Sequence, residues 1–160
     1  MSRASAICQQ DDRETTCPHS SPALDRYRAA FRPSGWWDRP YTVLAGGIAV
    51  AGTTDAARRL LAPEAWALAH SRTHGVFPPL LPAEEIRPDR MTDRERGFYE
   101  SGLSAQLYGT EEEVALALGE LAARTGADEV LVTTGAHDRE GLLESHRRLA
   151  HAILRPTAGS

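Results

Sequence analysis

Residues 106–138, QLYGTEEEVALALGELAARTGADEVLVTTGAHD, constrain the fold most, because every local signal in them agrees on a helix feeding a strand. Thr110 followed three residues later by Glu113 is a capping box: the hydroxyl takes an orphan amide at the helix start and the carboxylate reaches back to the cap's own N–H. Val114, Ala117, Leu118, Leu121 and Ala122 recur at three- and four-residue spacing and give one apolar face, with Glu111, Glu112, Glu120 and Arg124 outside it. Glu111 and Glu112 also suit the positive end of the helix dipole. Gly126 follows the last periodic residue, where a left-handed glycine closes a helix.

The run Val130, Leu131, Val132, Thr133, Thr134 then reads as a strand. Its unbroken apolar and β-branched character predicts cover on both faces, as in a parallel sheet. Asp138 caps a second helix whose inward stripe is Leu142, Leu143, Leu149, Ala150, Ile153 and Leu154, ending at Pro156 before a short tail, residues 156–160. Helix, parallel strand, helix is the repeating unit of α/β barrels and doubly wound sheets. In such folds chemistry sits beyond the carboxyl ends of the strands, which here means Thr133, Thr134, Gly135 and His137.

Upstream, residues 42–52, TVLAGGIAVAG, read as a second buried strand, with Gly46 and Gly47 at its centre for a bulge or a close approach. Thr53 or Thr54 caps a helix carrying Ala56, Ala57, Leu60 and Leu61 up to Pro63, where a proline breaks or kinks the run, and residues 64–70 restart as a short helix. Residues 72–97 hold Pro78, Pro79, Pro82 and Pro88 with no sustained period, and read as a long loop of the kind used as a lid or binding loop. Ahead of the first strand, Leu24, Tyr27 and Phe31 mark a short amphipathic piece. Trp36 and Trp37 follow in a Pro- and Gly-broken loop, either as an anchor packing that loop on the sheet or, with Arg32 and Arg39, as a stacking surface for a flat ring.

Charge and cysteine usage exclude several function classes. A net charge of -4 and a pI near 5.9, with no clustered basic face, argue against nucleic acid. All 18 basic residues are arginine, which removes Schiff-base lysine chemistry. No apolar run approaches the roughly 20 residues that cross a bilayer, and the leader, residues 1–22, is polar, reads as disordered and lacks a signal-peptide centre. The expectation is a cytoplasmic chain with Cys8 and Cys17 reduced. Cys8, Cys17 and His19 match no common metal spacing, and His70 with His74 share a helix face but lack a visible third ligand, so no metal is expected. No Ser-His-Asp, Cys-His or paired-carboxylate arrangement stands out, and Asp128 and Glu129 read as turn residues. His137 is the candidate general base, against the plainer reading of a loop residue beside a helix cap.

Four blocks carry a resemblance: RPYTVLAGGIAVAGTTDAARRL, SRTHGVFPPLLPAEE, the GTEEEV helix start, and RTGADEVLVTTGAHDREGLLESHRRLA. In order and spacing they resemble the C-terminal part of the luciferase-like, flavin-dependent monooxygenases, with residues 23–155 as the corresponding α/β domain. The resemblance implies part of a TIM-barrel, (β/α)8 fold and oxidation of a small organic substrate with O2 through reduced FMN or, in some branches, a reduced deazaflavin. It makes residues 42–51 the seventh barrel strand, 130–134 the eighth and 72–97 a lid. Arg87 and Arg90 in that lid, with Thr133 and Thr134 at the strand end, become the expected cofactor-binding residues, against a plain surface role for the two arginines.

A barrel of this type needs about 250 residues, so roughly the first six strand–helix units have no counterpart here. The resemblance then implies a homo-oligomer or a partner subunit that completes the barrel. The alternative, from a different class, is a non-catalytic or repurposed small-molecule-binding or dimerisation module.

Overall fold

The computed structural model describes residues 22–154, so the leader with Cys8, Cys17 and His19 and the tail after Leu154 lie outside the described residues. Helices outweigh short parallel strands in the order α1 (Pro22–Ala30), β1 (Val43–Gly46), β2 (Ile48–Val50), α2 (Thr54–His74), α3 (Asp93–Ser104), β3 (Leu107–Gly109), α4 (Glu111–Thr125), β4 (Glu129–Val132) and α5 (Arg139–Leu154). The class is mixed α/β. Among the described residues no helix is long and apolar enough to cross a membrane.

The segment 43–50 is the shared element of the sheets. β1 pairs in parallel with β4, Val43 opposite Glu129 and Gly46 opposite Val132, while β2 pairs in parallel with β3, Ile48 opposite Leu107 and Val50 opposite Gly109. The expected single strand is therefore two, divided at Gly47. A Cβ there would lie 2.8 Å from Gln106 Oε1, so the glycine makes room for a buried glutamine side chain.

β2 is buried on both faces, but β1 and β4 alternate, and Val43 and Leu131 are 45% and 51% exposed. The expectation of cover on both faces thus fails for β4: among the described residues no helix covers the face that carries Leu131. Two core clusters flank β2: Ala49 with Leu61, Ala65, Ala69, Tyr99 and Leu103 on the α2–α3 side, and Ile48 and Val50 with Val114, Leu118 and Leu149 on the α4–α5 side. The side chains of these two clusters are hydrophobic, and their burial is the main source of stability for such a unit.

The capping box of α4 is complete, Glu113 Oε2 accepting from Thr110 N at 2.9 Å, and Gly126 closes the helix at φ 59°. Arg28 of α1 donates to the carbonyls of Thr125 and Gly126, a cation at the negative end of α4.

Two expectations about residues 53–97 are corrected. Pro63 does not divide the helix: α2 runs through it because Leu61, Ala62, Ala65 and Ala69 bury one continuous face, and that packing outweighs the lost N–H. The expected long loop is also shorter than 72–97. Its start is the last turn of α2, its end is the first turn of α3, capped by Thr92, and two single 3-10 turns, Ala83–Glu85 and Pro88–Arg90, lie between.

Trp36 is 90% exposed and anchors nothing among the described residues, whereas Trp37 packs on Tyr41 with ring centroids 5.5 Å apart. Asp128 and Glu129 have structural partners. Asp128 Oδ2 accepts from Thr42 N at 2.8 Å and its Oδ1 from Arg39 at 2.7 Å, and Glu129 Oε2 accepts from Tyr41 Oη at 3.0 Å.

Candidate functional site at the strand carboxyl ends

The parallel strands β2 and β3 point the same way, so their carboxyl ends open onto one side of the molecule. A cleft of about 910 Å³ lies there, floored by Val50, Ala51 and Gly52 and walled by α2 (Ala56, Arg59, Leu60, Pro63), the segment Pro82, Ala83, Glu84, and the start of α5 from His137 to Gly141. Its volume lies in the range of sites that enclose a small molecule, about 300–1,000 Å³. A smaller hollow of about 430 Å³, lined by Thr110, Glu111 and Ala115, adjoins it and shares Ala51, Gly52 and Arg148.

Hydrogen bonds at the cleft's back wall fix its shape. The β1–β4 ladder ends as Thr133 N donates to Gly46 O at 3.0 Å. Beyond that point Thr134 Oγ1 accepts from Ile48 N at 2.8 Å and donates to Ile48 O at 2.7 Å, in place of a ladder bond. One step on, Ser145 Oγ of α5 accepts from Val50 N at 2.8 Å. Gly135 N donates to Glu64 Oε2 at 2.8 Å, tying the β4–α5 loop to α2. Asp138 Oδ1 accepts from Gly141 N at 2.9 Å and caps α5.

Of the residues expected to act here, only His137 lines the cleft, and it is exposed. Thr133 is exposed and contributes its amide to the ladder, and the Thr134 hydroxyl is committed to Ile48. Arg87 and Arg90 stay at the surface: Arg87 Nε lies 3.6 Å from Asp89 Oδ1, Arg90 N closes a turn onto Arg87 O, and neither lines the cleft. Only Pro82–Glu84 of the expected lid reaches it.

Other cations stand in the cleft instead. Arg59 on α2 and Arg139 at the first turn of α5 hold no ion pair with another described residue. Arg148 is paired, Nε to Glu144 Oε1 at 3.0 Å and Nη1 to Glu111 Oε1 at 3.5 Å. The lining is mixed in charge: Arg59, Arg139 and Arg148 share the cleft with His137 and with the carboxylates of Glu84, Asp138, Glu140 and Glu144, so it offers both cationic donors and anionic acceptors to a polar ligand. Arg59 escaped the sequence reading because the helix face it occupies acquires meaning only when α2 is set against β2.

No protein-family model matches the chain. It is 28% identical over 129 residues to the uncharacterized protein YvbT of Bacillus subtilis (strain 168), which covers 81% of this chain and 38% of that protein. The crystal structure of apo-MsnO8 superposes with a TM-score of 0.63 at 27% identity, over 82% of this chain and 40% of that one. The chain thus spans about two fifths of the length of each of these relatives.

Proposed function

We propose that this chain supplies the last strand–helix units of a luciferase-like (β/α)8 oxidoreductase, in which a reduced flavin, FMN or a deazaflavin, and O2 oxidise a small organic substrate. The observation that carries the reading is the cleft at the carboxyl ends of parallel strands, lined by Arg59 and Arg139, which hold no ion pair among the described residues. What supports a cofactor that carries a phosphate is the pair of arginines in the lining, Arg59 and Arg139, while the start of α5 is already capped by the Asp138 carboxylate and offers it no further site. When bound, the reduced flavin would supply the electrons that activate oxygen. The chain's own part is to hold the anionic end with Arg59 and Arg139, to keep water from the floor with Val50 and Leu60, and to move a proton at the imidazole of His137.

The half-open sheet supports the second part of the proposal. Val43 and Leu131 present an apolar face on β1 and β4 that further barrel units, from a second copy or a partner chain, would cover. A cytoplasmic location goes with this reading, since a reduced flavin has to be regenerated continually. A non-catalytic binding or dimerisation module is the second reading, favoured by the solvent-facing indole of Trp36.

Titration with FMN, read by tryptophan quenching with the mass of the same sample measured in parallel, tests the proposal. Saturable micromolar binding by an oligomer, weakened roughly tenfold or more by Arg59→Ala as expected for a lost charge-assisted contact of about 1.5–3 kcal/mol, is the expected result. A folded oligomer that binds no FMN at millimolar concentration would refute the redox reading and leave the binding module.

A further inference from the structure

We propose that His70, His74 and Glu95 form a binding site for one divalent transition-metal ion, of the zinc class, at the far end of α2 from the cleft. The two histidines lie one turn apart on the last stretch of α2, and their rings stack with centroids 4.2 Å apart. The chain then leaves through Gly75 at φ 75° and returns as α3, which sets Glu95 against both rings. Glu95 Oε1 lies 3.5 Å from His70 Nδ1 and 4.0 Å from His74 Nε2, and one ligand atom from each residue falls within 4.8 Å of the others. The edge of a tetrahedron with bonds of about 2.0 Å is roughly 3.3 Å, so small rotamer adjustments bring the donors to coordination distance.

Three features favour a metal over a simple ion pair. Thr92 and Glu95 have the spacing of a capping box, and the Thr92 hydroxyl does accept from Glu95 N at 3.2 Å, yet the carboxylate turns to the imidazoles instead of back to the cap. One carboxylate oxygen is shared by two imidazole nitrogens, more than an ion pair requires. The site also sits at the carbonyl end of a 21-residue helix, where the dipole favours a cation.

Burial is graded in the way an open site needs. The Glu95 side chain is 12% exposed and that of His74 50%, so the carboxylate is held while the His74 side faces solvent and leaves room for a water or an exogenous ligand. Trp66 packs on His70 with centroids 5.5 Å apart and restrains that ring. Two nitrogens and one oxygen suit Zn2+, Co2+ or Ni2+ and disfavour Mg2+ and Ca2+, which take oxygen ligands. From Pro63, the last α2 residue that lines the cleft, to His70 the helix climbs about 10 Å at roughly 1.5 Å per residue, so this cluster lies outside the cleft and does not depend on the proposed function.

The test is calorimetric titration of the untagged full chain with Zn2+, with the visible spectrum of Co2+ as a second readout, in a Cys8→Ser/Cys17→Ser background that removes both thiols. The expected result is one equivalent bound at micromolar affinity or tighter. His74→Ala and Glu95→Gln, each confirmed folded by circular dichroism, should weaken binding at least roughly 100-fold, the upper end of the range for outer-shell partners. Mg2+ should not compete. Absence of binding below millimolar Zn2+ in the folded protein would overturn the proposal, as would affinity unchanged in His74→Ala and Glu95→Gln.

Discussion

Replacing Ser145 by alanine isolates the bond that holds the end of β2 to α5. Ser145 and Val50 are each 1% exposed, and the bond between them measures 2.8 Å. Successive amides of a strand point to opposite sides. Leu107 N donates to Gly47 O and Ala51 N donates to Gly109 O, which places the β3 ladder on the side away from the Val50 amide. Among the described residues no strand pairs with that amide, and the serine hydroxyl is its partner.

In Ser145→Ala the Val50 N–H stays buried with nothing to accept from it, at a cost of about 1–3 kcal/mol. Alanine is the better helix former by about 0.5 kcal/mol, which leaves a net loss of about 0.5–2.5 kcal/mol. Urea unfolding followed by far-ultraviolet circular dichroism should show a lower midpoint at unchanged slope, and the Val50 amide should exchange with solvent deuterium much faster than in the parent. A change below about 0.3 kcal/mol, or unchanged exchange at Val50, would refute the reasoning, because another acceptor would then be shown to serve that amide.

Further substitutions test neighbouring parts of the argument. Thr134→Val keeps the shape but removes both bonds to Ile48; denaturant unfolding should register a loss of about 1–3 kcal/mol. Unchanged stability would free the hydroxyl for a ligand. Gly141→Ala in an exposed helix turn would ordinarily gain about 0.5–1 kcal/mol, but here the new Cβ would meet Asp138 Oδ2 at 2.5 Å and Leu60 Cδ2 at 2.8 Å, so thermal unfolding should show a net loss of about 1–2 kcal/mol. Acid should destabilise the fold through two carboxylates. Asp128, held by the Thr42 amide and then by Arg39, and Glu113, held by the Thr110 amide and then by the Thr54 hydroxyl, both titrate below their ordinary range. Because their folded values are depressed, their contribution is complete above the unfolded carboxylate range and is lost as pH falls below about 4. Denaturation midpoints for Asp128→Asn should accordingly fall less steeply than the parent's between pH 5 and 3.

The parts of the fold legible in the sequence are those fixed by neighbours along the chain. Thr110, Glu113 and Gly126 delimit α4 by hydrogen bonds that close within a few residues, and the structure shows each of them. Two apolar runs read as buried strands, the resemblance made them consecutive strands of a barrel, and the structure pairs β1 with β4 in parallel. What failed depends on contacts between distant segments. Pro63 looked like a break because its cost is local and the burial that overcomes it is not. α3 was hidden because it buries only Tyr99 and Leu103, too few to set up a period, although its Thr92–Glu95 cap was present to be read. β3 is three residues long, and its identity rests on β2 lying beside it.

The site was half legible for a related physical reason. Position beyond a strand's carboxyl end is written in the sequence, and it puts His137 in the cleft. Whether a hydroxyl at that position faces a ligand or the backbone depends on what the next strand needs. Here β1 and β4 stay paired only as far as Gly46, Val132 and the Thr133 amide, and the amides of Ile48 and Val50 would otherwise be buried without acceptors. Thr134 and Ser145 satisfy them from the side. A ladder continued through Val50 would have drawn the β4–α5 loop onto β2. The β4–α5 loop is instead tied to Glu64 of α2 through the Gly135 amide, and the cleft lies between α2, the end of β2 and the start of α5. The threonine best placed by sequence for chemistry is therefore spent on the backbone of β2, and the cations that line the cleft, Arg59, Arg139 and Arg148, come from its helical walls, where no pattern along the chain marks them.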